Sequence, residues 1–143
     1  MRITDVIRHK GDLVVTIRPD ASVRDLLAQL AQFKIGALIV GDGSGQIVGI
    51  VSERDVVRQL HHDGSALLDL VVSDIMTTEV VTCAPSDSVD DLMALMTQRR
   101  FRHVPVVDDE GSLVGIVSIG DVVKNRIDEL QLERDQLTAY INS

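Results

Sequence analysis

Apolar positions follow two different spacings along the first sixty residues. Val14–Ile17 is a short β-branched run that ends before Pro19, which predicts a strand. Beyond it, apolar residues fall on one face of a helix that Ser22 is placed to cap. These residues are Val23, Leu26, Leu27 and Leu30.

The next stretch predicts a hairpin and a second helix. Gly36 ends the first helix, and Ala37–Val40 is a continuous apolar strand. The turn at 42–45, Asp-Gly-Ser-Gly, leads into a strand at Ile47–Val51. From Ser52 the chain is predicted to be helical to about His62, so the order of elements is βαββα.

The same pattern occurs twice. Shifting the chain by 66 positions places residues 14–58 on 80–124 without a gap, and 21 of these 45 pairs are identical. Upstream, Thr4–Ile7 resembles Ser73–Met76, with three extra residues in the first copy near Lys10. A unit of about 60 residues buries little surface alone. We therefore expect an α/β (α+β) fold in which repeats at 1–65 and 66–125 pack together with pseudo-two-fold symmetry.

Residues 126–143 have no counterpart after the first copy and are predicted to form a C-terminal helical tail. Four apolar residues recur there at heptad-like spacing, interrupted by Arg134. They are Ile127, Leu130, Leu137 and Ile141. Such a helix packs either on its own module or on the partner in a homodimer, and the sequence leaves both open.

Composition and charge exclude several classes of protein. With 45% hydrophobic residues, 25% charged residues and a net charge of -8, the chain should fold and should repel a nucleic-acid backbone. Only two Phe and one Tyr are present, too few for base stacking. No apolar run approaches the length of a membrane span. The single Cys83 suits a reducing compartment, so we expect a soluble, cytoplasmic protein.

Catalytic and metal-binding motifs are lacking in the sequence. No Gly-x-Ser-x-Gly elbow, Walker loop or Gly-x-Gly-x-x-Gly occurs. His61, His62 and Asp63 form the one dense group of candidate metal ligands, but neighbouring histidines point to different helix faces. We interpret this group as a solvated helix end. The sequence therefore predicts neither an enzyme nor a metal site.

The duplicated motif resembles a known family. Two βαββα units, each with an entry like Asp74-Ile75-Met76 and an ending Gly-Ile-Val-Ser-x-x-Asp-Val-Val, are similar to cystathionine-β-synthase (CBS) domains. A tandem pair is called a Bateman module. The resemblance, over residues 1 to about 125, implies two CBS repeats forming a regulatory module that binds adenosine-containing ligands between the copies. It also implies a disc-shaped homodimer and no catalysis.

Two acidic residues are the central candidates for ligand binding. Asp55 and Asp121 each follow a serine by three residues at a predicted helix start, where free backbone N–H groups favour an anion. A carboxylate can accept both hydroxyls of a ribose. The resemblance assigns that ribose role to the two aspartates and a phosphate role to Ser52 and Ser118. The alternative is a capping box that only completes the helix end.

Basic residues make the two copies unequal. By the resemblance, Arg102 and His103, just before the strand at Pro105, reach the phosphate of the ligand held by Asp55. The first copy has Gly36 and Ala37 at the equivalent positions, and Arg54 is matched by Gly120. The Asp55 site should therefore prefer phosphorylated adenosines, and the Asp121 site should bind weakly, take a less charged ligand or stay empty. The remaining candidates, for the base pocket, are Thr16, Thr82, Gly36 and Ala37, each of which can instead be purely structural.

The leading hypothesis is a sensor of AMP, ADP or ATP that acts on an unidentified regulated protein. One alternative is a sensor of NAD or S-adenosylmethionine that uses the same ribose contact. The other is a dimerising scaffold with degenerate sites. The sequence does not decide among these ligands.

Overall fold

The structure is a computed structural model that describes residues 1–10 and 14–142. Its helices and strands follow the duplicated order predicted above. The helices are α1 (Ile3–Lys10), α2 (Val23–Phe33), α3 (Glu53–Asp63), a 3-10 helix (Gly64–Asp69), α4 (Val72–Ile75), α5 (Val89–Arg99) and α6 (Ile119–Asn142). The strands are β1 (Thr16–Ile17), β2 (Ala37–Gly41), β3 (Ile47–Ser52), β4 (His103–Val107) and β5 (Leu113–Ser118).

The first sheet has the order β1-β2-β3, with β1 parallel to β2 and β2 antiparallel to β3. The predicted hairpin is therefore present. The predicted cap is present too, since Ser22 accepts a hydrogen bond from the Asp25 backbone N–H at 3.0 Å. The apolar residues at 37–40 are buried on both faces of the sheet, as a strand covered by helices requires.

The second sheet contains only β4 and β5, which form an antiparallel hairpin. The prediction of a strand at Val80–Thr82 was wrong. Residues 80–83 pair with the sheet through a single bridge, between Cys83 and Val106. Val80 and Val81 instead line a cavity. Cys83 is buried, and this burial raises the pKa of its thiol to about 12, so it behaves as a small apolar side chain.

Each of the two hydrophobic cores contains a segment from the other half of the chain. Ile3 and Val6 of α1 pack in the core of the second sheet. Conversely, Leu67, Val72 and Ile75 pack in the core of the first sheet. Each entry segment thus crosses to the opposite repeat, which fixes the two βαββα units against each other.

The predicted C-terminal tail is helical and forms one continuous element with the helix that follows β5. α6 begins directly after β5 and extends to Asn142. Its distal apolar residues, Ile127, Leu130, Leu137 and Ile141, are 49 to 77% exposed, so they do not pack on the chain's own module. Among the described residues, no helix is both long and apolar enough to cross a bilayer.

Candidate functional site

Both predicted helix starts have the same local geometry. The Ser52 backbone N–H donates to Asp55 Oδ2 at 2.9 Å, and the Asp55 N–H donates back to Ser52 Oγ at 3.4 Å. Ser118 and Asp121 repeat these bonds at 2.9 and 3.1 Å. The capping boxes are therefore present, and they fix each carboxylate beside the end of a buried strand.

A cavity of about 570 Å³ lies beside Asp55 between the two repeats. Eight of the twelve predicted site residues line it: Gly36, Ser52, Arg54, Asp55, Arg102, His103, Pro105 and Ser118. A side chain at Gly36 would meet the wall, since a Cβ there would lie 2.7 Å from Glu53 Oε1 and 3.3 Å from His103 Cε1. We call this space, with Asp55 in its wall, the first crevice.

The other four predicted residues are not in the wall of the first crevice. Thr16 and Thr82 are exposed, and Ala37 is buried in β2. Asp121 belongs to the equivalent position of the second repeat, which we call the second crevice. The structure thus brings Asp55 together with the phosphate candidates, but not with Asp121 or the proposed threonines.

Asp55 is nearly buried, with 7% of its surface exposed. Its Oδ2 atom accepts from the Ser52 backbone N–H and hydroxyl. Among residues 1–10 and 14–142, its Oδ1 atom is contacted only by Arg58, at 3.5 Å, through a side chain that is 72% exposed. One carboxylate oxygen can therefore accept an incoming hydroxyl if the exposed Arg58 side chain is displaced.

Arginines dominate the charge of the first crevice. Five of the eleven in the chain line it, together with three carboxylates: Arg54, Arg58, Arg99, Arg100 and Arg102, with Glu53, Asp55 and Glu79. Within residues 1–10 and 14–142, no ion pair forms at Arg54, Arg100 or Arg102. Three unpaired guanidinium groups facing one cavity in an acidic protein favour an anionic ligand.

Sequence reasoning missed Arg58, Arg99, Arg100 and Glu79 as wall residues. Arg58 was detectable, because it lies three residues after Asp55 on the same helix face. Arg99 and Arg100 lie just before the candidates Arg102 and His103 in the sequence but were not assigned to the site. Arg100 ends α5 in the left-handed conformation, with φ 57°. That turn is not evident from residue types, and it carries the chain from α5 into the wall.

His103 lies within reach of charges from both crevices. Burial lowers its pKa below the ordinary 6.5, and Lys10 and Arg102 lower it further, against the opposing effect of Glu53 and Asp121. The imidazole is therefore neutral at pH 7. A phosphate beside it would reverse this balance and favour the protonated form.

The second crevice is occupied by a lysine of the chain itself. Lys10 Nζ lies 2.8 Å from Asp121 Oδ2 and 2.8 Å from the Ile116 carbonyl oxygen. Burial of Asp121 opposes its ionisation, but hydrogen bonds from Lys10 and Ser118 outweigh this and hold its pKa below the ordinary value. Asp55, by contrast, has no lysine partner among the described residues, where its ion pair is with the exposed Arg58.

Comparison with known proteins identifies the family. The model of the CBS domain matches residues 10–62 and 72–128. A relative, the mitochondrial CBS domain-containing protein CBSX3 of Arabidopsis thaliana, is 37% identical over 97% of this chain and 71% of its own length. Its compartment shows that such chains are not confined to the cytoplasm that Cys83 led us to expect.

Solved structures agree with this assignment. A CBS-domain containing protein from Agrobacterium tumefaciens has 46% identity and a TM-score of 0.82, over 87% of this chain and 98% of that one. CBSX2, solved in complex with AMP, has 30% identity and a TM-score of 0.74, over 89% and 96%. The CBS domain pair of protein MJ0100, solved with 5′-methylthioadenosine and S-adenosyl-L-methionine, has 26% and 0.77, over 87% and 98%.

CBS pairs also occur inside larger enzymes. An inosine-5′-monophosphate dehydrogenase from Nitrosopumilus maritimus is 30% identical over 83% of this chain, which spans only 24% of that enzyme. The family model, the duplicated fold and the crossed entry segments agree, and the chain belongs to the CBS domain family as a tandem pair.

Proposed function

We propose that this chain is a non-catalytic regulatory module whose first crevice binds an adenosine nucleotide, with AMP as the minimal ligand. One observation carries the proposal: a buried carboxylate, Asp55, shares a cavity wall with unpaired arginines. A cavity of about 570 Å³ is within the range of small-molecule sites. The AMP complex of CBSX2 supports the same ligand class.

The proposed roles follow from the chemistry of each group. Asp55 accepts the ribose hydroxyls through Oδ1, and Arg102 and His103 face the 5′-phosphate. Ser52 stays committed to the cap and orients Asp55. Arg54 and Arg58 lie where further phosphates of ADP or ATP would extend, because both also line a second cavity that adjoins the first.

S-adenosylmethionine is a weaker candidate here than a nucleotide, although the MJ0100 pair was solved with it. Its sulfonium is cationic, and five arginines surround this cavity. Since like charges repel in a partly buried site, the wall favours a phosphorylated ligand. NAD, which carries two phosphates, is compatible with the same wall.

We further propose that two copies associate through α6 and that the ligand changes how the repeats sit within this dimer. The exposed residues Ile127, Leu130, Leu137 and Ile141 repeat at the three- and four-residue steps of paired helices. The regulated protein would respond to that change. A homodimer without ligand binding is the scaffold alternative.

A thermal-shift screen separates these functions. AMP, ADP, ATP, NAD, S-adenosylmethionine and 5′-methylthioadenosine are tested against the wild-type chain and Asp55→Asn. The proposal expects phosphorylated adenosines to raise the Tm of the wild type and to lose that effect in the variant. If none of the six ligands shifts the Tm, the scaffold alternative holds and the proposed function is wrong.

A further inference from the structure

The second crevice is closed from inside the chain by Lys10. In the first repeat, Ile50 and Asp55 both line the open cavity. The residues one repeat later, Ile116 and Asp121, are bridged by the Lys10 ammonium, which lies 2.8 Å from an oxygen of each. The space that is open in one repeat is therefore filled by an amine in the other.

The two entry segments explain why only one crevice is filled. In the first repeat, the Ile50 carbonyl accepts a hydrogen bond from the Thr77 backbone at 2.8 Å. In the second, the equivalent Ile116 carbonyl accepts from the side chain of Lys10. Continuing the register of Thr4–Ile7 on Ser73–Met76 places Lys10 on Glu79. Glu79 lines the first crevice and, as a carboxylate, cannot pair with Asp55 as a lysine can.

We propose that Lys10 is the residue that limits this module to a single nucleotide per chain, by occupying the hydroxyl-binding position of Asp121. The inference rests on the proposed function of the first crevice and assigns a different role to the second. A ribose would have to displace a charged hydrogen bond to enter, at a cost of about 10- to 100-fold in affinity.

The charge around the second crevice determines which ligand should be used to test it. The positions of Arg102 and His103 are occupied in the first copy by Gly36 and Ala37, which offer no charge to a phosphate. Removing Lys10 removes one more cation. Adenosine, which is uncharged, is therefore the ligand that the opened crevice should accept.

Calorimetry with AMP and adenosine tests the inference on the full chain. The wild type should bind one AMP per chain, and Asp55→Asn should bind AMP and adenosine about 10- to 100-fold more weakly. The double variant Asp55→Asn with Lys10→Met should bind adenosine at least tenfold more tightly than Asp55→Asn alone. Adding Asp121→Asn as a third substitution should remove this gain. Lys124→Met, at an exposed lysine of α6, is the matched control and should restore nothing.

A second measurement does not depend on ligand binding. The Asp121 carboxyl carbon, followed by NMR across acid pH, should titrate below its ordinary range in the wild type. In Lys10→Met its pKa should rise, and in Lys124→Met it should not. An unchanged titration in Lys10→Met would mean that the contact is absent in solution and would overturn the inference.

The remaining outcomes distinguish a failure of the role of Lys10 from a failure of the proposed function. Two AMP molecules per wild-type chain, or no gain of adenosine binding in Asp55→Asn with Lys10→Met, overturn the role of Lys10 while leaving the first crevice intact. A wild type that binds neither AMP nor adenosine overturns the proposed function. The carboxyl titration then still decides whether Lys10 holds Asp121.

Discussion

The two repeats have the same helix start and the same aspartate, yet their crevices differ in charge and occupancy. Around Asp55 the wall is rich in arginines, and one carboxylate oxygen contacts only the exposed side chain of Arg58 among the described residues. Around Asp121 a lysine of the chain neutralises the carboxylate. The same helix-start geometry thus occurs twice, and residues of the flanking segments give the two aspartates different neighbours.

Replacing each aspartate in turn by asparagine should give the largest difference in AMP binding between the two crevices. Asp55→Asn removes a charged acceptor for the ribose and should weaken AMP binding about 10- to 100-fold. Asp121→Asn should change it less than about twofold, because that carboxylate is already paired. Calorimetry measures both, and equal losses would contradict the asymmetry.

Removal of a cation should have the next largest effect. Arg102→Met should weaken AMP binding about tenfold and leave adenosine binding unchanged, because the lost hydrogen bond is to phosphate. Arg24→Met, at an exposed arginine of α2, provides a control of equal charge change. Equal weakening of AMP by both variants would show that only the general field of the protein matters.

A change of pH should affect the stability of the ligand-free chain through His103. Its pKa is lowered on folding from 6.5, so below that value the unfolded state binds more protons than the folded state. His103 therefore makes its full contribution to the free energy of unfolding above pH 6.5. This contribution is lost as the pH falls from 6.5 through the lowered pKa of the folded state. His103→Gln should flatten this dependence.

Urea unfolding of the wild type and His103→Gln at pH 7.5 and 5.5 measures that contribution. Saturating AMP should reduce the loss at acid pH, because a phosphate favours the protonated imidazole. A variant with the same pH dependence as the wild type would show that His103 is not the group responsible.

Removing the distal part of α6 should have the smallest effect on ligand binding. α3 ends at Asp63, whereas the equivalent α6 continues to Asn142. A chain ending after Glu129 keeps the buried Asn125 and should bind AMP within about twofold of the full chain, since the removed residues are exposed. Light scattering should show the loss of a dimer. A truncated chain that stays dimeric would exclude pairing through the tail.

Much of this fold was predictable because the repeat doubles every signal. Ser22 caps its helix as predicted, Ser88 does the same one repeat later, and the turns fall where glycine and aspartate cluster. The missing strand at Val80–Thr82 was not predictable, because β-branched residues serve equally well in a strand and in a cavity wall.

The site was harder to predict wherever it depends on distant segments. The basic cluster before Pro105 was evident, but the contact between Lys10 and Asp121 joins residues 111 positions apart. It arises because α1 crosses to pack on the second sheet, with Ile3 and Val6 in its core. Local patterns carry no signal for such an exchange of segments.

A crystal structure of the chain grown with AMP tests the central claim most directly. The account predicts one nucleotide per chain in the first crevice, with ribose oxygens within hydrogen-bond distance of Asp55 and the phosphate on Arg102 and His103. Lys10 should remain on Asp121. A nucleotide bound only at Asp121, or a first crevice that stays empty at saturating AMP, would contradict it.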